Sequence, residues 1–268
     1  GDALRALRDG GYAIIAGGTD SYPARVERSA GEDVLDITAL VELRRIDVTP
    51  EYFRIGAGVT WTDLIRADLP PCFDGLKLAA REIGGVQIQN AATIVGNVCN
   101  ASPAADSLPN LLALDAEVEL TSTDECRRMP VADYVTGNRQ TRRRADELLT
   151  ALLIPRNLAG ARSDFLKLGA RRYLVISIAM VAAVLQADQG RVTAACVAVG
   201  ACSVIARRLP ALEAALAGRP VSGLGSLVEP QHLAPLSPID DVRASAPYRR
   251  EAALVLLRRL LDRMGEAA

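Results

Sequence analysis

The sequence predicts an α+β protein in two parts. Short apolar runs suited to buried strands are interleaved with stretches whose apolar residues recur at helical spacing. The composition shifts over residues 155–163, a stretch of Pro, Asn, Gly and Ser. That shift places a domain boundary near residue 160, between parts spanning 1–160 and 161–268. Beyond it, a hairpin pattern and one long amphipathic helix complete the chain. There is no internal repeat and no low-complexity segment.

Residues 2–9 read as a short helix stopped by Gly10-Gly11. The chain opens inside that helical pattern, so a preceding stretch is expected. Residues 12–16 are an apolar run suited to a buried strand, and they feed directly into Gly17-Gly18-Thr19-Asp20. Residues 34–37 form a second short strand, and residues 52–57 a third that ends in a Gly-Ala-Gly turn. Thr60-Trp61-Thr62-Asp63 opens a helix with Thr60 or Thr62 as N-cap. Residues 76–83 are amphipathic and halt at Gly84-Gly85. Residues 87–106 are rich in small residues and side-chain amides, carry almost no charge, and read as a long loop. Asp106 or Ser107 then caps a helix reaching Leu114, with Pro109 in its first turn, where a missing N–H costs little. Residues 117–121 and 148–154 are strands, the second closed by Pro155. In the second part, residues 164–168 and 178–187 are strands, and the latter joins 192–199 through the turn Asp188-Gln189-Gly190-Arg191. Residues 206–217 form a helix ended by Gly218 and Pro220. Residues 247–264 form the long helix, with Ala253, Leu257, Leu260, Leu261 and Met264 on one stripe.

Composition excludes several classes. Half of the 268 residues are hydrophobic, enough to bury a full core. A net charge of -1 lacks the basic excess that a nucleic-acid partner requires. The longest apolar run, residues 176–187, contains Ser177 and Gln186 and falls short of the about 20 residues that span a membrane. Gly1-Asp2-Ala3-Leu4-Arg5 has no charged-then-apolar signal pattern, so a cytoplasmic location is expected. The five cysteines are irregularly spaced and contain no C-x-x-C, which leaves neither an iron–sulfur nor a zinc frame. They read as small buried hydrophobes in a reducing compartment. The single histidine, His232, argues against a Ser–His–Asp triad or a zinc hydrolase site.

Two loops carry the candidate chemistry. In Gly17-Gly18-Thr19-Asp20, adjacent glycines let main-chain N–H groups approach an anion closely, and Thr19 adds a hydroxyl. The second loop supplies Gly96, the hydroxyls of Thr93 and Ser102, and the amides of Asn97 and Asn100. Two uncharged loops of this kind can hold a pyrophosphate between them by main-chain dipoles; the alternative is a pair of tight turns. G-x-G-x-x-G and G-x-x-x-x-G-K-[ST] are both absent, which argues against a Rossmann dinucleotide site and a P-loop. Asp106 is either a ligand acceptor or simply a helix cap. Lys167 faces a flavin or phosphate, or snorkels at the surface. Arg139, Arg142, Arg143 and Arg144 form either a solvated loop or a contact for an acidic face of a partner.

These residues resemble a known family. Ala16-Gly17-Gly18-Thr19-Asp20, and Thr93-Ile94-Val95-Gly96-Asn97 continuing into Ala101-Ser102-Pro103-Ala104-Ala105-Asp106, look like the two FAD loops of the molybdenum hydroxylase flavoproteins. These are the medium subunits of the xanthine dehydrogenase and carbon monoxide dehydrogenase family. The resemblance runs nearly end to end, through residues 165–172 and 240–250. It implies a FAD-binding domain of the vanillyl-alcohol-oxidase (PCMH) type followed by a small α+β C-terminal flavoprotein domain. By that resemblance Ile14, Ile15, Ala16, Gly17, Gly18, Thr19, Asp20 and Ser21 wrap the pyrophosphate, and Thr93, Gly96, Asn97, Asn100 and Ser102 meet it from the other side. Asp106 helps to hold the cofactor, Ile83 lies against the isoalloxazine, and Leu149 and Lys167 line the flavin. Residues 169–176 match a segment near the exposed flavin face, where Tyr173 is a candidate gate or a packing residue.

The resemblance further implies an oxidoreductase subunit with non-covalent FAD and no catalytic acid or base of its own. Molybdopterin and two [2Fe–2S] clusters are expected on a large molybdenum-binding partner and a small iron–sulfur partner. Electrons would pass from the clusters to FAD and on to NAD+, a quinone, another protein or O2. Two departures stand out: Val95 occupies a position where the family usually has glycine, and no cysteine-rich cluster insertion is present. Only Cys99 lies near a loop, which supports non-covalent binding. The rival readings are a stand-alone flavin oxidase of the same fold and a flavin-free assembly scaffold. The small second part and the lack of His oppose the oxidase; Val95 alone favours the scaffold.

Overall fold

The computed structural model describes residues 1–24 and 33–266. Helix α1 (Asp2–Asp9) ends at Gly10, and β1 (Tyr12–Ile15) runs into the first glycine loop and the single turn α2 (Ser21–Ala24). Strand β2 (Asp33–Asp36) pairs in parallel with β1, so the loop leaves the end of a two-stranded ribbon.

Strands β3 (Ile46–Val48) and β4 (Tyr52–Gly56) begin a five-stranded antiparallel sheet. Helix α3 (Trp61–Arg66) follows, and its cap is Thr60 rather than Thr62. The Asp63 amide donates to Thr60 Oγ1 at 3.1 Å while the Thr60 amide donates to the Asp63 carboxylate at 3.0 Å, a reciprocal capping box. Helix α4 (Asp74–Glu82) buries Leu76, Ala79 and Ala80.

The segment expected as one long loop is mostly helical. It contains α5 (Val86–Ala91) and α6 (Ile94–Asn100), and α7 (Ser107–Ala113) follows. Thr93 starts α6 by accepting from the Gly96 amide at 2.9 Å. Ala101 ends it in the left-handed region at φ 47.

Strands β5 (Glu117–Thr121), β6 (Cys126–Pro130) and β9 (Leu148–Pro155) complete the first sheet; between β6 and β9 come the turn α8 (Val131–Tyr134) and a separate small hairpin of β7 (Val135–Gly137) and β8 (Gln140–Thr141). Its order is β3-β4-β9-β5-β6. The central β9 is apolar almost throughout because both of its faces are covered. Glu119 sits on β5 beside it and is satisfied by Arg54 at 2.7 Å and Thr150 Oγ1 at 2.8 Å. Burial pushes its carboxyl up, but those donors outweigh burial and hold it below the ordinary value.

The second sheet has the order β10 (Arg162–Leu168), β11 (Ala179–Asp188), β12 (Arg191–Gly200), β13 (Arg207–Arg208), all antiparallel. The expected helix over 206–217 is shorter: α9 covers Pro210–Leu216, because Arg207 and Arg208 pair with β12 instead. The last helix, α10 (Ala246–Glu266), buries Ala253, Leu257, Leu260 and Leu261. Strand β11 alternates between two cores. Met180, Ala182 and Val184 join the core of the first sheet, whereas Val181, Ala183 and Leu185 join the core under α9 and α10.

Burial of the cysteines holds for Cys72 and Cys202, but Cys196 is half-buried and Cys99 and Cys126 are exposed. All five are free thiols. His232 is buried, and its Nδ1 accepts from the Glu229 amide at 3.0 Å, a structural role. Among the described residues no helix is long and apolar enough to cross a membrane, and no cluster of His, Cys, Asp or Glu could hold a metal.

Candidate functional site

The two glycine-bearing segments meet. Gly17 lies so close to the end of α5 that a Cβ there would stand 1.9 Å from the Ala91 carbonyl oxygen. Gly18 adopts φ +68, a conformation natural to glycine. Between the segments runs a cleft of about 820 Å3, within the range of about 300–1,000 Å3 that small-molecule sites occupy.

Its lining contains every residue the sequence put forward from the first loop, Ile14, Ile15, Ala16, Gly17, Gly18, Thr19, Asp20 and Ser21. From the second segment it contains Thr93, Gly96, Asn97, Asn100, Ser102 and Asp106, and from elsewhere Ile83 and Leu149. Lys167 is the exception and does not line the cleft. Its Nζ donates to Asp106 Oδ2 at 2.7 Å from a side chain only 7% exposed, so it is neither a surface lysine nor a cleft residue. Asp106 in turn spends no oxygen on capping α7. Its Oδ1 accepts from Ser177 Oγ at 2.6 Å. Burial drives the Asp106 carboxyl above its ordinary value, and Lys167 and Ser177 offset part of that. A buried carboxylate needs a countercharge, and β10 delivers one.

The cleft is rich in donors. The amides of Gly17, Gly18, Thr19 and Asp20 find no acceptor among the described residues. Asn97 Oδ1 is taken by Ser107 Oγ at 2.6 Å, and Asn100 Oδ1 by Arg139 Nη1. Both asparagines thus turn their acceptors to the protein and keep their N–H groups for a ligand. The Trp61 Nε1 is a buried donor without a partner among the described residues, and Trp61 also lines the cleft. Unpaired donors on facing segments match the oxygens of a pyrophosphate, so the residues fit the phosphate portion of FAD.

Val175 and Ile176, from the segment expected near the flavin face, line the cleft as well, whereas sequence reasoning missed Trp61, Ile88, Ala92 and Arg139 as lining residues. Arg139 was visible only as one of a run of arginines. It sits at φ 55 in the β7–β8 turn, and its amide donates to Ala101 O at 2.9 Å, tacking the hairpin to the end of α6. Its neighbours Arg143 and Arg144 are not a free partner surface: Arg143 Nη1 donates to the carbonyls of Arg144 and Glu147, each at 2.8 Å, and Arg144 pairs with Glu125 and Glu147. Val95 is buried in α6 and forms part of the cleft wall. Tyr173 is 57% exposed outside the cleft lining, with the Arg172 guanidinium 5.1 Å from its ring centroid.

Comparison with known proteins agrees with this geometry. Residues 1–157 match the FAD binding domain in molybdopterin dehydrogenase, and residues 164–264 match the CO dehydrogenase flavoprotein C-terminal domain. The chain is 30% identical to the nicotine 6-hydroxylase medium subunit of Paenarthrobacter nicotinovorans, over 94% of this chain and 89% of that one. It is 36% identical to the nicotinate dehydrogenase FAD-subunit of Eubacterium barkeri, over 65% of this chain but 61% of that subunit's length. The fold matches reconstituted CO dehydrogenase from Oligotropha carboxidovorans with a TM-score of 0.91 and 26% identity, covering 100% of this chain and 95% of that chain. The fold is therefore shared along the whole chain, and the chain belongs to the FAD-binding subunits of the molybdenum hydroxylase oxidoreductases.

Proposed function

We propose that this chain is the electron-exit subunit of a molybdenum hydroxylase. It would receive electrons from [2Fe–2S] clusters on a small partner and release them to an external acceptor such as NAD+, while a large partner holds molybdopterin. The observation that carries this reading is the donor cradle: four successive amides at Gly17 to Asp20 with no acceptor among the described residues, lining one cleft with Asn97 and Asn100. When bound, the flavin supplies conversion between one-electron donors and two-electron acceptors.

The chain's residues bind and orient. Under this reading residues 14–21 and 93–102 grip the pyrophosphate, and Asp106 contributes acceptor capacity from a fixed position. Ile83 and Leu149 give the ring system an apolar seat that excludes water, supported by their place in the cleft wall. Lys167 acts through Asp106, holding its carboxylate in place. No side chain is required to move a proton. We further propose the division of the chain at residue 160, non-covalent attachment and a cytoplasmic location, for which the five free thiols are a support.

The test is to purify the full chain, record its visible spectrum, denature it and identify what is released. Flavin bands with FAD freed into solution are expected. A colourless chain that takes up no added FAD would overturn the reading in favour of a scaffold.

A further inference from the structure

Main-chain amides fix the position of a phosphate but carry no net charge. The pyrophosphate of FAD brings a negative charge on each phosphate group, and a charge drawn out of water needs a countercharge. Five charged side chains line the cleft: Asp20, Glu82, Asp106, Arg139 and Arg143. Asp106 is matched by Lys167. Asp20 and Glu82 pair with no cation among the described residues. Arg143 is tied back to its own turn, with Nη1 donating to the carbonyls of Arg144, Ala145 and Glu147. Arg139 is different. Its guanidinium makes one hydrogen bond, from Nη1 to Asn100 Oδ1, and pairs with no carboxylate among the described residues. Its Nε and Nη2 keep their N–H groups for a ligand, beside those of the Asn100 amide.

The backbone beneath Arg139 suits this placement. The β7–β8 hairpin stands apart from the five-stranded sheet. It is tied to the end of α6 by the Arg139 amide, which donates to Ala101 O at 2.9 Å. Both residues lie in the left-handed region, Arg139 at φ 55 and Ala101 at φ 47. Glycine would take the turn position without strain, so an arginine there points to a use for its side chain. We infer that Arg139 is the countercharge for the pyrophosphate of FAD, and that the β7–β8 hairpin is the arm that carries it to the cleft. The inference rests on the flavin reading. A planar fork that cannot lose its proton suits phosphate oxygens, and Asn100 Oδ1 holds one of its prongs in place. Without Arg139, the unpaired carboxylates of Asp20 and Glu82 would face Arg143 alone, and the cleft would repel an anion.

The experiment is titration of the FAD-free full chain with FAD, followed by flavin fluorescence, at low and high potassium chloride. Arg139→Gln should weaken FAD by about tenfold, the loss of one charge-assisted contact, and flatten the salt dependence. Arg139→Lys should recover most of that affinity. Arg139→Gly relieves the backbone, so it should unfold in urea no earlier than the unaltered chain yet bind FAD as weakly as Arg139→Gln. That split separates a ligand role from a structural one. Unchanged FAD affinity in Arg139→Gln and Arg139→Gly would sink the inference and leave the flavin reading intact. Equal weakening by Gln and Lys, with the salt dependence of the unaltered chain, would do the same. In the assembled enzyme, loss of a partner chain from Arg139→Gln with FAD affinity unchanged would assign the arginine to an acidic face of that partner instead. An unaltered chain that takes up no FAD would overturn the flavin reading and the inference together.

Discussion

At the residue scale, the site turns on what a single side chain would displace. A methyl group at Gly17 would overlap the Ala91 carbonyl oxygen at 1.9 Å, and backbone on both sides leaves little room to yield. Gly17→Ala should therefore separate the two cleft walls and lower flavin content by roughly tenfold, a loss of about 1.4 kcal/mol in affinity, read from the visible absorbance of the purified chain. Normal flavin content in that variant would show that the contact between the walls is not needed. Lys167 makes a different case. Lys167→Met leaves the Asp106 carboxylate buried without its cation, a change that costs about 3–5 kcal/mol. Urea unfolding should show that loss, and Asp106→Asn in the same chain should recover part of it. The glycines, hydroxyls and asparagines of the cleft were legible because their chemistry is local to two short stretches. The role of Lys167 was not, because its partner is 61 residues away.

At the element scale, short helices are where sequence reading failed. Helices α5 and α6 span six and seven residues, too few turns for an apolar stripe to show. Their small and amide residues resemble loop composition. Thr93 is the local signal that could have shown α6, since it caps the helix through the Gly96 amide. Thr93→Ala should cost about 1 kcal/mol in thermal or urea unfolding and also weaken FAD, because the same turn lines the cleft. A stability loss without an effect on flavin would assign Thr93 to the helix alone. The entry to α10 gives a pH prediction. Asp241 is held at about 2, against 3.8 ordinarily, by the Arg243 amide first, and then by Arg249 and the Ala244 amide against a desolvation cost. A depressed carboxylate stabilises fully above its unfolded value and loses that contribution as pH falls through its folded value. Stability should therefore drop between about pH 4 and about pH 2, and Asp241→Asn should flatten that part of the profile. The buried Arg249 beside it donates to Ile178 O at 2.6 Å and Ala201 O at 3.1 Å, fastening α10 to the open end of the β11–β12 hairpin, opposite its turn.

At the scale of the whole molecule, the α+β class and most strands were legible from alternation and turn chemistry. The way the two parts join was not. The sequence of β11 is apolar on both faces, Ala-Met-Val-Ala-Ala-Val-Leu, and a continuous run of that kind says only that both sides are covered. The structure shows by what: Met180, Ala182 and Val184 face the flavin half, and Val181, Ala183 and Leu185 face α9 and α10. One strand thus belongs to two hydrophobic interiors, and no linker-like gap of exposed backbone separates them there.

That shared strand has a consequence in time. The main-chain protons of Ala179 to Leu185 are bonded between β10 and β12 and shielded above and below, so solvent deuterium can reach them only when both halves open together. Exchange followed by mass spectrometry should find this segment the slowest in the chain, lagging well behind the exposed turn at 171–174. Should 179–185 exchange as fast as that turn, the two halves breathe independently.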